Sequence, residues 1–339
     1  MNAMLLVGIL GLALLMIVHE SGHLLAVRAF GMRVVRFSIG FGPAIFRYQA
    51  KGSDTVYQIA LIPFFAYVQI EGMNPFEEVD PDDKGSYANA SLFGRISAIV
   101  AGPLANYLFA SVLFFAALMV GGKHVPTTQV IVMDGPAKAA QMQRGDRVES
   151  IDGQPIGDWE QMRKIILASP NKELAIGVER NHEHLVLKVT PQLKEGGGRI
   201  GVSPIDKQVP VGLKEASIAS LVMPVSVVEN LVIDLGRIIT RQEKPDFKGP
   251  GGIVKEIAKA AALGPADLLG FLGALSAYLG GFNLLPFPAL DGGRLAFLTY
   301  EAVTRRKPNA RVEANIHALG LMLLIALIAV VSVHDFSSK

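Results

Sequence analysis

Residues 4–30 of this 339-residue chain form an apolar run longer than the about 20 residues a bilayer requires, and ionisable side chains interrupt it. The stretch "MLLVGILGLALLMIV" carries no charge; "HESGH" then sets His19, Glu20 and His23 before the apolar character resumes. An ionised group at the centre of a span costs roughly 2.5–3.5 kcal/mol on insertion scales, so groups found there are functional by default. Four residues apart on a helix, His19 and His23 share one face and can reach one cation. Glu20 stands where it can hold a water on that cation. This is the H-E-x-x-H pattern of two zinc ligands and a general base. No basic leader precedes the run, so it reads as a retained span and not a cleaved signal.

Half of the residues are hydrophobic and 18% are charged, the balance of a membrane protein with some water-exposed mass. Further runs at 96–120, 266–290 and 316–333 bring the expected spans to four. The expected fold is a polytopic α-helical membrane protein. A fifth run, 217–239, is broken by Glu229, Asp234 and Arg237 and reads as an amphipathic helix lying on membrane or protein. Basic residues follow the first run (Arg28, Arg33, Arg36, Arg47, Lys51) and the third (Arg294, Arg305, Arg306, Lys307, Arg311). Both loops are therefore expected to be cytoplasmic and both termini outside. A formal net charge of +2 makes no case for nucleic acid as a partner. The lack of cysteine excludes disulfides, thiolate zinc sites, iron–sulfur clusters and cysteine nucleophiles. Any metal must be held by nitrogen and oxygen.

Residues 121–212 read as a water-soluble α+β domain on the outer side. "ELAIGVE" and "HLVLKVT" alternate as half-buried strands do. "DWEQMRKIILAS" has helical spacing after the cap candidate Asp158, and "QRGDRVESIDGQPI" reads as a turn, a short strand and another turn. "KEGGGR" is expected to be a flexible loop tip. Around this domain lie an N-terminal membrane part, 1–120, an amphipathic segment, 213–265, and a C-terminal membrane part, 266–339.

Catalytic zinc takes three protein ligands and keeps one position open. The candidate source of the third is "FNLLPFPALDGGR", residues 282–294. Two prolines precede Asp291 and two glycines follow it, so the helix must break where the carboxylate sits. Irregular backbone at membrane depth is tolerated only against protein or a water-filled cavity. Taken alone, Asp291 could equally cap a cytoplasmic helix. Topology decides: with four crossings, His19, His23 and Asp291 approach the same cytoplasmic side, provided that 217–239 does not cross.

Together, "HESGH", "NLLPFPALDGG" and an inserted domain with "RGDRVESIDGQPI" resemble the site-2 protease family of intramembrane zinc metalloproteases, nearest its bacterial RseP-type branch. The likeness covers essentially the whole chain, and "GFGP" at 40–43, "AGPLANYLFA" at 101–110 and "KGPGGI" at 248–253 add to it. It implies a multi-pass enzyme of the bacterial inner membrane with one Zn2+ on His19, His23 and Asp291. Glu20 would take a proton from water and pass it to the leaving amine. The inserted domain would be a PDZ domain, closed by "GRIGVSP". Asn283 would hydrogen-bond the substrate backbone, the alternative being an amide bonded to a neighbouring helix. Substrates would be transmembrane segments met in membrane lipid, such as those of trimmed anti-sigma factors or signal-peptide remnants.

"RFSIGFGPAIFRYQA" and "TVYQIALIPFF" read as a β-hairpin. The resemblance makes it a membrane-reentrant sheet that takes the substrate as an added strand, with Gly42, Pro43, Ile59 and Ile62 as contacts. A plain cytoplasmic hairpin is the alternative. Two departures stand out. The branch often carries two tandem PDZ domains where this chain has room for one, and "IPFFAYVQI" has Phe65 and Ala66 where two glycines are expected.

Rival functions are a metal transporter, which would string its ligands along a path, and an inactive PDZ-bearing tether, which would need neither Glu20 nor Asp291. His182 and His184 read as members of an exposed hairpin turn and His317 as a helix-packing group. His124 and His334 read as polar tips at membrane edges, and Trp159 as packing inside the domain.

Overall fold

The computed structural model describes residues 3–74, 76–194, 196–242 and 248–337, leaving aside the side chains of 63–65 and 334–337; Lys339 and the side chains of Phe65 and His334 thus lie outside the described residues. Two compact units result: Met1–Val120 with Gly212–Lys339, and Gly121–Val211.

Helix α1 spans Ala3–Ala29. Gly8, Gly11, Leu15, His19, Gly22, His23 and Val27 form its buried stripe, at the three- and four-residue spacing of one helix face. Leu6, Leu10, Leu14 and Leu25 are exposed on the rest. A Cβ on Gly22 would stand 2.2 Å from the Ala101 carbonyl oxygen, and one on Gly8 2.4 Å from that of Val254. These glycines are what let the neighbouring backbones approach so closely.

Strands β1 (Val34–Gln49) and β2 (Val56–Ile70) form the hairpin. Its register runs from Val34↔Ile70 to Gln49↔Val56, but Arg36, Phe37, Ser38 and Ile39 each have two partners, one set at 56–59 and one at 66–69. The long strands therefore bend into four sheet segments, ordered 44–49, 56–60, 34–39 and 66–70. Phe41, Ile45, Phe46, Ile59, Leu61 and Ile62 are all exposed toward the far end, and Tyr48 is exposed on the outer segment. Arg33 pins the following loop, engaging both Glu71 and Asp83; its hydrogen bonds hold these carboxyls below the ordinary range. Helix α2 then runs Leu92–Gly121.

The second unit holds β3 (Lys123–Val132), α3 (Pro136–Ala139), β4 (Arg147–Ile151), β5 (Gln154–Pro155), α4 (Trp159–Leu167), β6 (Leu174–Arg180), β7 (Glu183–Val189), β8 (Gln192–Lys194), β9 (Gly197–Arg199) and β10 (Val202–Val209). The main sheet is ordered β10-β3-β4-β6-β7, with β5 beside β4. Alternate residues of β6 and the inner face of α4 close on one core that includes Val148, Ile151, Met162, Leu174, Ile176 and Val178, and Trp159 packs against it. Asp158 caps α4 by accepting the Gln161 N–H at 2.8 Å. The glycine run departs from the expected loop tip. Gly197 and Gly198 belong to β9, and a Cβ on them would lie 2.5 Å from Leu167 O and 2.4 Å from Ile166 O. They are close-approach residues beneath α4.

The chain continues through α5 (Leu213–Ile239), α6 (Pro250–Leu263), α7 (Pro265–Asn283), α8 (Asp291–Thr304) and α9 (Ala310–Ser337). Two expectations need correction. The run 266–290 is not one helix: α7 stops at Asn283, and residues 284–290 form turns. The described helices long and apolar enough to cross a membrane are α1, α2, α5 and Ala310–Val333 of α9, so 217–239 is not disqualified by its charges. Asp234 and Arg237 stand 3.7 Å apart and partly offset one another. Helix α7 packs by Leu272 against Leu15 of α1 and Leu113 of α2.

Candidate metal centre

Asp291 does not end a span; it is the first residue of α8 and makes no side-chain cap. Its Oδ2 lies 3.1 Å from His19 Nε2 and 3.2 Å from His23 Nε2, and the two ring nitrogens are 3.2 Å apart. Both histidines are buried.

The rings are oriented from behind. His23 Nδ1 donates to the Ala98 carbonyl at 2.7 Å. His19 Nδ1 meets the side-chain amide of fully buried Asn106 at 3.2 Å, and Ser276 Oγ donates to the Asn106 carbonyl. Among the described residues Asn106 Oδ1 is buried without a partner; with the amide turned so that this oxygen faces His19, it accepts the Nδ1 proton. Each ring then has its proton on Nδ1 and a lone pair on Nε2. Asp291 Oδ2 is likewise buried with no hydrogen-bond partner among the described residues.

Three acceptors facing one another without a proton call for a cation. Tetrahedral zinc with bonds of about 2.0–2.1 Å separates its ligand atoms by about 3.3–3.4 Å, close to the separations here. Gly102 supplies the space, since a Cβ there would stand 2.2 Å from His23 Nε2. The donor set and its cradle fit zinc.

Glu20 is held apart from the donors: its Oε2 accepts the Val68 N–H of β2 at 3.1 Å. Asn283 closes α7, and its amide donates to Leu279 O of its own helix at 2.9 Å. Gly42, Pro43, Ile59 and Ile62 lie on the hairpin, Ile59 paired with Ile39 and Phe46 and Ile62 with Phe41; Gly42 has φ 95°. Ala66, in place of an expected glycine, is buried opposite Ile39.

The motif "AGPLANYLFA" contains two residues of the site, Gly102 and Asn106, to which residue spacing assigns no role, and nothing in the sequence points to Ala98, Ser276 or Val68. An asparagine in an apolar helix is the one available signal. Among the other histidines, His182 sits exposed at the β6–β7 turn and His184 bonds Glu149 at 2.8 Å. His124 is exposed on β3. His317 accepts the Ala289 N–H.

A family model described as Peptidase family M50 matches residues 7–327. The chain is 32% identical to a protein of Fusobacterium nucleatum provisionally named a zinc metalloprotease, over 97% of each chain. It is 30% identical to the zinc metalloprotease RasP of Geobacillus kaustophilus, over 94% of each, and 29% identical to a provisionally named zinc metalloprotease of Clostridium acetobutylicum, over 98% of this chain and 96% of that one.

Proposed function

The chain belongs to the peptidase M50 family, and from that premise we propose that it is an intramembrane zinc endopeptidase of the site-2 type, cutting transmembrane segments of membrane proteins. That it is a metalloprotease with zinc as cofactor follows from its relatives. The observation that carries the intramembrane reading is the setting of the donors. His19 and His23 lie on the buried stripe of a helix whose other faces expose leucine along its length, as a helix in lipid does.

In this reading His19, His23 and Asp291 hold the metal. The chemistry that zinc supplies when bound is Lewis acidity toward the scissile carbonyl and a water able to attack near neutral pH. Glu20 takes the proton of that water and delivers it to the leaving amine. Val68 fixes Oε2, which leaves Oε1 to accept. A substrate helix satisfies its own backbone and must unwind before it is cut. The hairpin supports that step: its exposed apolar end, with Gly42, Pro43, Ile59 and Ile62, dips into the membrane and presents the substrate as an added strand. Asn283 would reach substrate backbone on leaving Leu279 O.

The second unit is read as a single PDZ domain of the RseP type. It lies outside the membrane and excludes substrates with bulky outer parts. Both termini lie on the same side, and the site opens toward the cytoplasmic face of a bacterial inner membrane. Trimmed anti-sigma factors and signal-peptide remnants are the substrate classes this arrangement suits.

The test is cleavage in lipid vesicles of a protein with one transmembrane segment, with the cut mapped by mass spectrometry. Wild type should cut within the segment and Glu20→Gln should not. A cut confined to residues outside the bilayer would defeat the intramembrane reading.

A further inference from the structure

The third donor of the site, at the start of α8, directly follows residues 284–290, which form neither helix nor strand. Ala289 has φ 76°, a left-handed conformation that is strained for a non-glycine residue and persists only when its surroundings over-determine it. Those surroundings come from α9 and α8. His317 Nδ1 accepts the Ala289 N–H at 3.1 Å, so the ring proton sits on Nε2. Three residues further on, Gly320 faces Pro288, where a Cβ would come within 2.3 Å of the proline Cβ. Phe297 of α8 packs against the imidazole with centroids 5.6 Å apart. From the far side Gly292 and Gly293 close in; a Cβ on them would meet Leu285 O at 2.2 Å and Phe287 O at 2.5 Å.

We propose that His317 is a positioning residue: its Nδ1 holds the Ala289 N–H, fixes the left-handed turn, and so sets where the Asp291 carboxylate enters the site two residues on. The inference rests on the reading of Asp291 as a zinc ligand. His317 is no ligand itself, because its acceptor nitrogen is taken by backbone. The arrangement also gives α9 a role in the site. That helix is the least buried of the four candidate spans. Among the described residues, the polar hold of this helix on the 284–290 turn is the His317 hydrogen bond.

The test compares purified full-length wild type, His317→Leu, His317→Asn, His317→Gln and Asp291→Ala. Zinc affinity is read by chelator competition, and melting is followed with and without zinc. Asparagine puts an acceptor where Nδ1 stands, glutamine puts one a bond too far, and leucine has none. His317→Leu should bind zinc roughly 10-fold more weakly or worse, the loss typical of ligand-orienting groups. It should lose much of the zinc-induced rise in melting temperature while the zinc-free form melts near wild type. His317→Asn should recover most of the affinity and His317→Gln should not. Wild-type affinity in His317→Leu, or equal destabilisation with and without zinc, would reduce the residue to packing and overturn the proposal. If the leucine variant does not fold, wild-type affinity in His317→Gln overturns it equally. Asp291→Ala that binds zinc like wild type would instead overturn the ligand assignment, an outcome visible separately.

Discussion

Val68 donates its backbone N–H to Glu20 Oε2 at 3.1 Å, tying the carboxylate on α1 to the outer segment of the hairpin sheet. That N–H is therefore not part of the ladder with Phe37, and proline is tolerated at an edge position of this kind. Val68→Pro should keep zinc and lower turnover about 10-fold, while Glu20→Gln should keep zinc and lose at least about 100-fold, the range of general acid–base catalysis. Elemental analysis beside a cleavage assay checks both. Unchanged turnover in Val68→Pro would show that Glu20 is oriented by something else.

Gly102→Ala should expel zinc without expelling the chain from the membrane. The added methyl would lie 2.2 Å from His23 Nε2, so the ring must swing off its Ala98 hydrogen bond. A loss of more than about 10-fold in zinc affinity is expected, as for other disturbances of ligand orientation, read by chelator competition on the purified protein.

Arg95 and Glu301 form a two-pronged ion pair at 2.9 and 2.6 Å between α2 and α8, both side chains nearly covered. Breaking such a pair from one side strands the other charge and costs about 3–5 kcal/mol. Arg95→Met should therefore lower the melting temperature sharply, and Arg95→Met with Glu301→Met should regain much of it. Additive losses in the double variant would rule the coupling out.

In the second unit Asp146 is buried yet ion-paired with Arg180 at 2.7 Å. Burial alone would push its carboxyl up; the Arg180 and Gln143 hydrogen bonds outweigh this and hold it below the ordinary aspartate value. A carboxyl depressed in the folded state contributes its full stability above the unfolded value of about 3.9, and that contribution fades as pH falls through the lower folded one. Trp159 is the one tryptophan of the chain and packs on this core, so its fluorescence follows this unit alone. Stability read this way should fall on acidification below about pH 4. Asp146→Asn should cost about 1–3 kcal/mol near neutrality and flatten that acid limb.

Features set by local chemistry are legible in the sequence itself. The i, i+4 histidines share a face on any helix, and Asp158 before "WEQM" announces a cap; both need only neighbours along the chain. What depends on distant backbone is not legible there. Hydropathy runs unbroken through Leu284, Leu285 and Phe287, so the end of α7 at Asn283 is invisible to it, and only the two prolines hint at a break. The glycines of "KEGGGR" look like slack in composition, whereas their use is to pass beneath two carbonyls of α4. Asn106 and His317 stand out as polar groups in apolar helices, but their partners are 87 and 28 residues away, beyond any reading of spacing.

The double pairing of residues 36–39 gives the hairpin a mechanical character. A simple two-stranded ribbon unzips from its ends one rung at a time under a small load. Here any peeling of the inner segment must rupture ladders on both flanks together, so the sheet resists in shear. Phe41 leads along its strand into the doubly paired segment and Ile62 leads along the other to Val68, so the apolar tip and the carboxylate of Glu20 are joined by an unbroken path of strand and one hydrogen bond.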